Sequence, residues 1–178
     1  PSMIKTFFIF LLLITLFNFG SLAEEIQAFN FTKEEFDNLT VRKIKKKTKY
    51  TLGSNENGNF LKAEAEGQAS GLGKEILIDL NKTPFLNITW KVEKDLSGIE
   101  EKSKKGHDYA ARVFVIKKTG STALSNRAIN YVFSSNEEIG QYWRSPFTKK
   151  SIDYVLATTK TNKNAVSYTH LTLPTTPY

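Results

Sequence analysis

The stretch that decides the fold is Tyr109-Ala-Ala-Arg-Val-Phe-Val-Ile-Lys-Lys118. Its apolar run over 113–116 consists of β-branched and aromatic residues, which favours a strand covered on both faces. Side chains alternate along a strand, so one face takes Ala111, Val113 and Val115. The other face takes Asp108, Ala110, Arg112, Phe114 and Ile116. The pattern predicts a central strand with one arginine among apolar neighbours.

Arg112 decides whether this strand is structural or functional. A guanidinium among apolar side chains needs a carboxylate or several carbonyl partners. Asp108 shares its face, but four residues of strand span about 13 Å, so the two are not expected to pair directly. The favoured interpretation is a structural clamp on backbone carbonyls or on an acid such as Asp79 or Glu93. The alternative is that Arg112 lines a binding site.

Length and composition indicate one folded domain. The chain has 178 residues, of which 40% are hydrophobic and 24% are charged, enough for a core and a soluble surface. The net charge is +7, and the lysines cluster only over 42–49. That cluster is interpreted as solvated surface, with a polyanion patch as the alternative. Cysteine is absent, which excludes disulfides, thiolate nucleophiles and thiolate metal sites.

The first residues have the pattern of a secretory leader. Lys5 precedes an apolar run over 7–19 that is short for a bilayer span, and Ser21-Leu-Ala23 supplies small residues for signal peptidase. Residues 1–23 are therefore predicted to be a signal peptide, cleaved before Glu24, and the protein to be periplasmic or secreted. An uncleaved amino-terminal anchor is the alternative.

Strand patterns fill most of the remaining chain, and no long helical pattern is present. Thr32-Lys-Glu-Glu35 resembles a capping box and predicts one helical turn. Strands are predicted over 41–47, 49–52, 60–66, 75–80, 85–94, 128–133 and 152–158. In the 85–94 strand, Leu86, Ile88, Trp90 and Val92 share a face, so Trp90 is assigned to the core. Loops are predicted over 67–73 and 137–150, and a charged excursion over 95–107 is interpreted as either a short helix or a mobile loop. The fold class is all-β, an antiparallel β-sandwich or jelly roll.

An ordered series of motifs resembles the bacterial domain-of-unknown-function family 3047. The motifs are Phe60-Leu-Lys-Ala-Glu-Ala65, Ala69-Ser-Gly-Leu72, Thr83-Pro-Phe-Leu-Asn-Ile-Thr-Trp-Lys-Val-Glu93, Asp108-Tyr-Ala-Ala-Arg-Val-Phe-Val115, Arg127-Ala-Ile-Asn-Tyr-Val132 and Ser145-Pro-Phe-Thr148. The resemblance implies an envelope or secreted protein with a galactose-binding-like sandwich and no established activity. His107 stands where the family tends to have a second acid, and the family's later segments have no counterpart here.

The carboxyl end has a different character. Residues 165–178 resemble translated adapter read-through, which predicts a sandwich over 24–164 that is incomplete at its carboxyl end, followed by a non-native or disordered tail. A genuine Thr/Pro-rich tail is the alternative.

The candidate ligand-binding residues are Asp108, Arg112, Asn130 and Trp143. The first three would bond sugar hydroxyls, and Trp143 would stack on a sugar ring. Only two histidines are present, His107 and His170, so a histidine-based triad or two-histidine metal site is not expected. His107 is interpreted as a loop histidine. No catalytic residue, metal or cofactor is assigned.

The sequence therefore favours a non-catalytic domain that binds a glycan or another envelope component. One alternative is an envelope glycan hydrolase using carboxylates such as Glu64 with Glu66 or Glu100 with Glu101. The other is a structural partner in an envelope assembly. No nucleic acid partner is expected, membrane contact is expected only through the leader, and the oligomeric state is not indicated.

Overall fold

The computed structural model describes residues 25–96, 98–160 and 164–170. The expected leader lies outside these residues. The described part contains one short helix, α1 (Lys33–Asn38), a 3-10 turn (Ala123–Ser125) and ten strands. The strands are β1 (Thr40–Lys45), β2 (Lys49–Asn55), β3 (Gly58–Glu64), β4 (Ala69–Gly73), β5 (Phe85–Lys91), β6 (Ala111–Lys117), β7 (Arg127–Ser134), β8 (Tyr142–Arg144), β9 (Ser151–Thr158) and β10 (Asn164–His170).

Helix α1 confirms the predicted helical turn. Thr32 is its N-cap, and its hydroxyl accepts the Glu35 N–H at 3.2 Å. The Glu35 carboxylate in turn accepts the N–H groups of Asn30 and Phe31 at 2.8 and 2.7 Å. One unpaired donor of the first turn is thus satisfied by the cap, and the Glu35 side chain fixes the chain just before the helix.

The amino-terminal half forms two small ribbons. Strands β2 and β3 pair as the predicted hairpin, turning through Gly58 at φ 109°. Strands β1 and β4 pair antiparallel, so the prediction of a loop over 67–73 is wrong. The predicted strand over 75–80 is also wrong, because Asp79 folds the chain into a turn, accepting the Asn81 N–H on its side chain and the N–H groups of Lys82 and Thr83 on its carbonyl. We define β1, β4 and residues 46–47 as the basic ribbon.

The main sheet has four strands in the order β6-β7-β9-β8. The prediction that β6 is central is wrong, since β7 and β9 occupy the middle and β6 lies at an edge. Phe114 and Ile116 are accordingly 47% and 50% exposed. Strands β7 and β9 run parallel, and the other pairs in the sheet are antiparallel. A non-local parallel pairing leaves no mark on the sequence period of either strand.

A second layer covers one face of the main sheet. Strand β5 pairs with β10 and packs Leu86, Ile88 and Trp90 against Ile129 and Tyr131 of β7. The Trp90 ring meets Phe133 edge-on, with centroids 5.4 Å apart. The predicted face of the 85–94 strand and the core position of Trp90 are confirmed.

The all-β class is confirmed, although β7 and β9 depart from a strictly antiparallel sheet. Strand β10 contains residues on which the predicted tail falls. That tail stays a prediction, and residues 171–178 lie outside the described part. Within the described ranges, no helix is both long and apolar enough to cross a membrane.

Candidate functional site

The second face of the main sheet carries polar side chains. In the strand register, Phe114 is opposite Asn130, Asn130 opposite Asp153, and Asp153 opposite Trp143. Residues that pair across strands point to the same face. This row therefore crosses all four strands, with Arg112, Val132 and Val155 as the next row. We call this side of the sheet the polar face.

A buried hydrogen-bond network occupies the middle of the polar face. Asp153 Oδ1 accepts the Asn130 side-chain N–H at 2.7 Å, and its Oδ2 lies 2.7 Å from His107 Nε2. Since a carboxylate only accepts, His107 is the donor. The side chains of His107 and Asp153 are 8% and 1% exposed, and Asn130 is fully buried. His107 lies in the loop before β6, as interpreted from the sequence, and its bond to Asp153 docks this loop onto the sheet.

Tyr109 and Trp143 close one side of this network. Both pack with Val132 and Val155, and Lys102 Nζ lies 5.0 Å from the Trp143 ring centre. Burial raises the pKa of the Tyr109 phenol above its ordinary value of 10.0, and the negative charges of Asp153 and Glu101 add to the rise. The positive charge of Arg112 and the nearby Trp143 ring N–H oppose this rise in the pKa. At hydrogen-bond geometry, however, the Tyr109 hydroxyl and the Trp143 Nε1 have no partner among the described residues.

Tyr109→Phe is expected to leave the free energy of unfolding at neutral pH nearly unchanged, because it removes a buried hydroxyl without a partner. Above pH 10 the wild-type chain should lose stability. Its unfolded state ionises at the ordinary pKa, whereas the folded state must first reach the raised pKa. The variant should lose less. Denaturant unfolding at neutral pH and above pH 10 measures the free energy of unfolding of the wild type and the variant. Exposed Tyr142→Phe is the control. An equal loss of stability at alkaline pH in Tyr109→Phe and Tyr142→Phe would contradict the assignment.

Glu101 anchors the loop that carries His107. Its side chain is fully buried, with one oxygen accepting the Ser134 hydroxyl and the other the Ser135 N–H at 2.7 Å. The Ser134 hydroxyl accepts the N–H groups of Asn136 and Glu137 at 3.1 and 2.8 Å. The segment predicted as a charged excursion is thus tied to the end of β7 by one acid.

Arg112 lies at the rim of the polar face. Its Nη2 is 3.1 Å from Asp108 Oδ1, and the two side chains are 22% and 61% exposed. The prediction that these residues cannot pair is wrong because β6 begins only at Ala111, so the chain before it is not extended. Asp79 and Glu93, the predicted partners, are not bonded to Arg112 in the described residues. The guanidinium carbon lies 5.2 Å from the Tyr109 ring centre and 5.8 Å from that of Phe114.

One exposed aromatic ring lies beside this rim, and a second contacts His107. Phe114 projects from β6 on the polar face, and Phe147 meets the His107 ring edge-on at 5.3 Å. Phe147 is 65% exposed. An exposed phenylalanine beside an arginine is a surface that can contact an apolar ring face.

The structure brings the sequence-selected residues onto one face at different depths. Arg112 and Asp108 form the rim, Trp143 is partly buried under Lys102, and Asn130 is enclosed. Sequence reasoning missed Asp153 and Phe147, and it named Glu101 only as a possible hydrolase carboxylate, not as a buried anchor. Asp153 had one signal, since it interrupts the apolar period of β9, whereas Glu101 had none within its charged stretch.

The chemistry available is limited. His107 and Asp153 form a hydrogen-bonded pair, and no hydroxyl is hydrogen-bonded to His107 among the described residues. No group of three or more metal-ligating side chains occurs in the described ranges. A groove of about 520 Å³ in the amino-terminal half, lined by residues such as Leu39, Thr48 and Tyr50, shares no residue with the polar face and contains no acid–base pair.

Comparison with known proteins gives one family match. A family described as a protein of unknown function (DUF3047) matches residues 34–170. No curated protein and no solved structure shows significant similarity to the chain.

Proposed function

We propose that this chain, which belongs to the DUF3047 family of proteins of unknown function, is an exported, non-catalytic domain that binds carbohydrate of the cell envelope. The proposed site is the rim of the polar face, with Arg112, Asp108 and Phe114 in direct contact with the sugar. Asn130 and Trp143 act from beneath as support. Export is proposed from the apolar run over 7–19 and the small residues before Glu24.

The environment of Arg112 is the observation that carries this proposal. An arginine has five N–H donors, and Asp108 is its one ion-pair partner within the described ranges. Asp108 Oδ1 also accepts the Tyr109 N–H at 2.9 Å, while Oδ2 has no hydrogen bond in that part of the chain. Donors and an acceptor thus stand beside the exposed Phe114 ring. Sugars are bound by this combination of polar groups and an apolar face.

A hydrolase is the second candidate, and the buried His107–Asp153 pair favours it. In that function His107 would act as a general base on water. The binding function is preferred because His107 is almost fully covered and its observed partners fix it in place.

The proposed function is accompanied by a proposed arrangement of the two sheet layers. We infer a galactose-binding-like sandwich or jelly roll, supported by the packing of the β5–β10 ribbon across the main sheet. A domain of this class places its ligands on loops or on an exposed sheet face.

Arg112→Met is expected to change the free energy of unfolding by less than about 1 kcal/mol, because its partner Asp108 is largely exposed. This replaces the loss of roughly 3 to 5 kcal/mol that a buried clamp would imply. The same change should abolish glycan binding, since it removes the donors. A glycan array with protein recovered from the periplasm or medium, whose amino-terminal sequence checks cleavage before Glu24, measures binding.

Arg144→Met is the matched control, because Arg144 is an exposed arginine on the opposite face of the sheet. It should retain binding. Glycan binding that survives in Arg112→Met would overturn the proposed site. Glycan turnover that is lost in His107→Gln would favour the hydrolase, and co-purification with envelope proteins without any glycan signal would favour a structural role.

A further inference from the structure

The geometry points to a second binding surface, in which the basic ribbon docks onto an anionic lipid membrane. No Asp or Glu occurs over 38–55 or 67–74, so the ribbon contains no carboxylate. Its cations are Arg42, Lys43, Lys45, Lys46 and Lys47. This surface shares no residue with the rim of the polar face and does not depend on the proposed carbohydrate site.

Within the described part of the chain, these cations lack the ion-pair partners that several other lysines have. Lys49 pairs with Glu64 at 3.1 Å, and Lys74 with Glu35 at 2.5 Å. None of the five ribbon cations forms an ion pair with any described residue. Such a concentration of uncompensated charge is unfavourable in the isolated protein and is relieved by an anionic surface. We therefore expect the basic ribbon to bind an anionic partner outside the chain.

The shape of the ribbon suits a flat partner. Every residue of β1 is exposed, and its register with β4 is irregular between Lys43 and Lys45. This irregularity lies at Ile44, which is 68% exposed between two lysines. Lys46 has φ 59°, a conformation rare for a side chain with a Cβ. An exposed apolar side chain thus lies within a run of cations.

A lipid surface fits these features better than a nucleic acid or a soluble polyanion. Lysine outnumbers arginine by four to one in the cluster, and lysines act as point charges rather than as bidentate phosphate readers. Neither β1 nor β4 contains an aromatic residue on which a base could stack. Ile44 has no role in binding a polyanion but can insert between lipid headgroups. The expectation that only the leader contacts a membrane is thereby revised.

Vesicle sedimentation with the full chain tests the proposal. Vesicles of phosphatidylcholine are compared with vesicles containing about 30% phosphatidylglycerol, since each lysine near an anionic surface adds about fivefold in affinity. The amino-terminal apolar run contributes to both compositions, so the ratio between them is the readout. The triple variant Lys43→Gln, Lys45→Gln, Lys46→Gln should lower that ratio on the order of 100-fold. About 0.5 M salt should have the same effect.

The matched control is Lys104→Gln, Lys105→Gln, Lys149→Gln, which removes the same charge from exposed lysines without ion pairs in the described residues. It should retain most of the preference for anionic vesicles. An equal loss in both triple variants would show only a net-charge effect and overturn the proposal. Binding of soluble polyphosphate that matches vesicle binding, with no effect of Ile44→Ser on either, would overturn the choice of lipid.

A fluorescent label gives an independent reading of position. The chain has no cysteine, so Ile44→Cys and Lys104→Cys each provide one labelling site. An environment-sensitive dye at position 44 should shift to the blue on anionic vesicles, whereas at position 104 it should not. A shift at position 104 alone would place the membrane contact elsewhere.

Discussion

Asp153→Ala is expected to lower the free energy of unfolding by about 3 to 5 kcal/mol, because two buried donors each lose their acceptor. The side-chain N–H of Asn130 and the ring N–H of His107 both bond to this carboxylate at 2.7 Å. Asp153 and Asn130 have no exposed surface, and the His107 side chain is only 8% exposed. Urea unfolding measures the loss, and Asp108→Ala, at an exposed carboxylate, should cost less than about 1 kcal/mol.

Asp153→Asn should be milder than Asp153→Ala. An asparagine oxygen can still accept from Asn130, and its amide group can donate to His107 if the ring takes its other neutral tautomer. A loss in Asp153→Ala no greater than that in Asp108→Ala would show that the network contributes nothing to folding.

Glu101→Ala is the second change with a large expected effect, a loss of about 3 to 5 kcal/mol. It leaves the Ser134 hydroxyl and the Ser135 N–H without their acceptor. It also releases the loop that carries His107, so hydrogen exchange should accelerate at the residues following Glu101 as well as across the sheet. The control is Glu100→Ala, next in sequence and exposed, which should change the free energy of unfolding by less than about 0.5 kcal/mol.

Glu101→Gln should not restore the stability lost in Glu101→Ala. This differs from Asp153→Asn, which should be milder than Asp153→Ala. The two lone pairs of the Ser134 hydroxyl already accept the Asn136 and Glu137 N–H groups, so the hydroxyl can only donate toward residue 101. A glutamine that turns its amide group toward Ser134 would place two donors together. Full stability in Glu101→Gln would contradict this assignment of donors.

The strands could be predicted from sequence wherever burial imposes a period. Strands β5, β7 and β9 follow from their apolar patterns, and the cap of α1 follows from Thr32 and Glu35. The position of β6 could not be predicted, because its run of apolar residues is compatible with either an edge or a centre. What decides between them is the insertion of β9 beside β7, a contact between residues far apart in sequence.

The site could be predicted only in part, again because some of its contacts join residues far apart in sequence. Arg112 and Asn130 were identifiable as polar residues within apolar strands. Glu101 lies among Glu100, Lys102 and other charged residues, and neither period nor composition separates the one buried acid from its exposed neighbours. Burial of such a residue depends on where its loop packs in the folded protein, and the sequence pattern does not indicate that position.

The insertion of β9 between β7 and β8 also sets an order of events during synthesis. Strand β7 leaves the ribosome well before β9, and until β9 arrives Val132 and Phe133 have one pairing edge open. The hydrophobic centre cannot close before residue 158 is made, because both central strands are needed to bury it. The main sheet is therefore expected to close only after residue 158 has been synthesised, and folding of this layer to be late relative to the synthesis of β6 and β7.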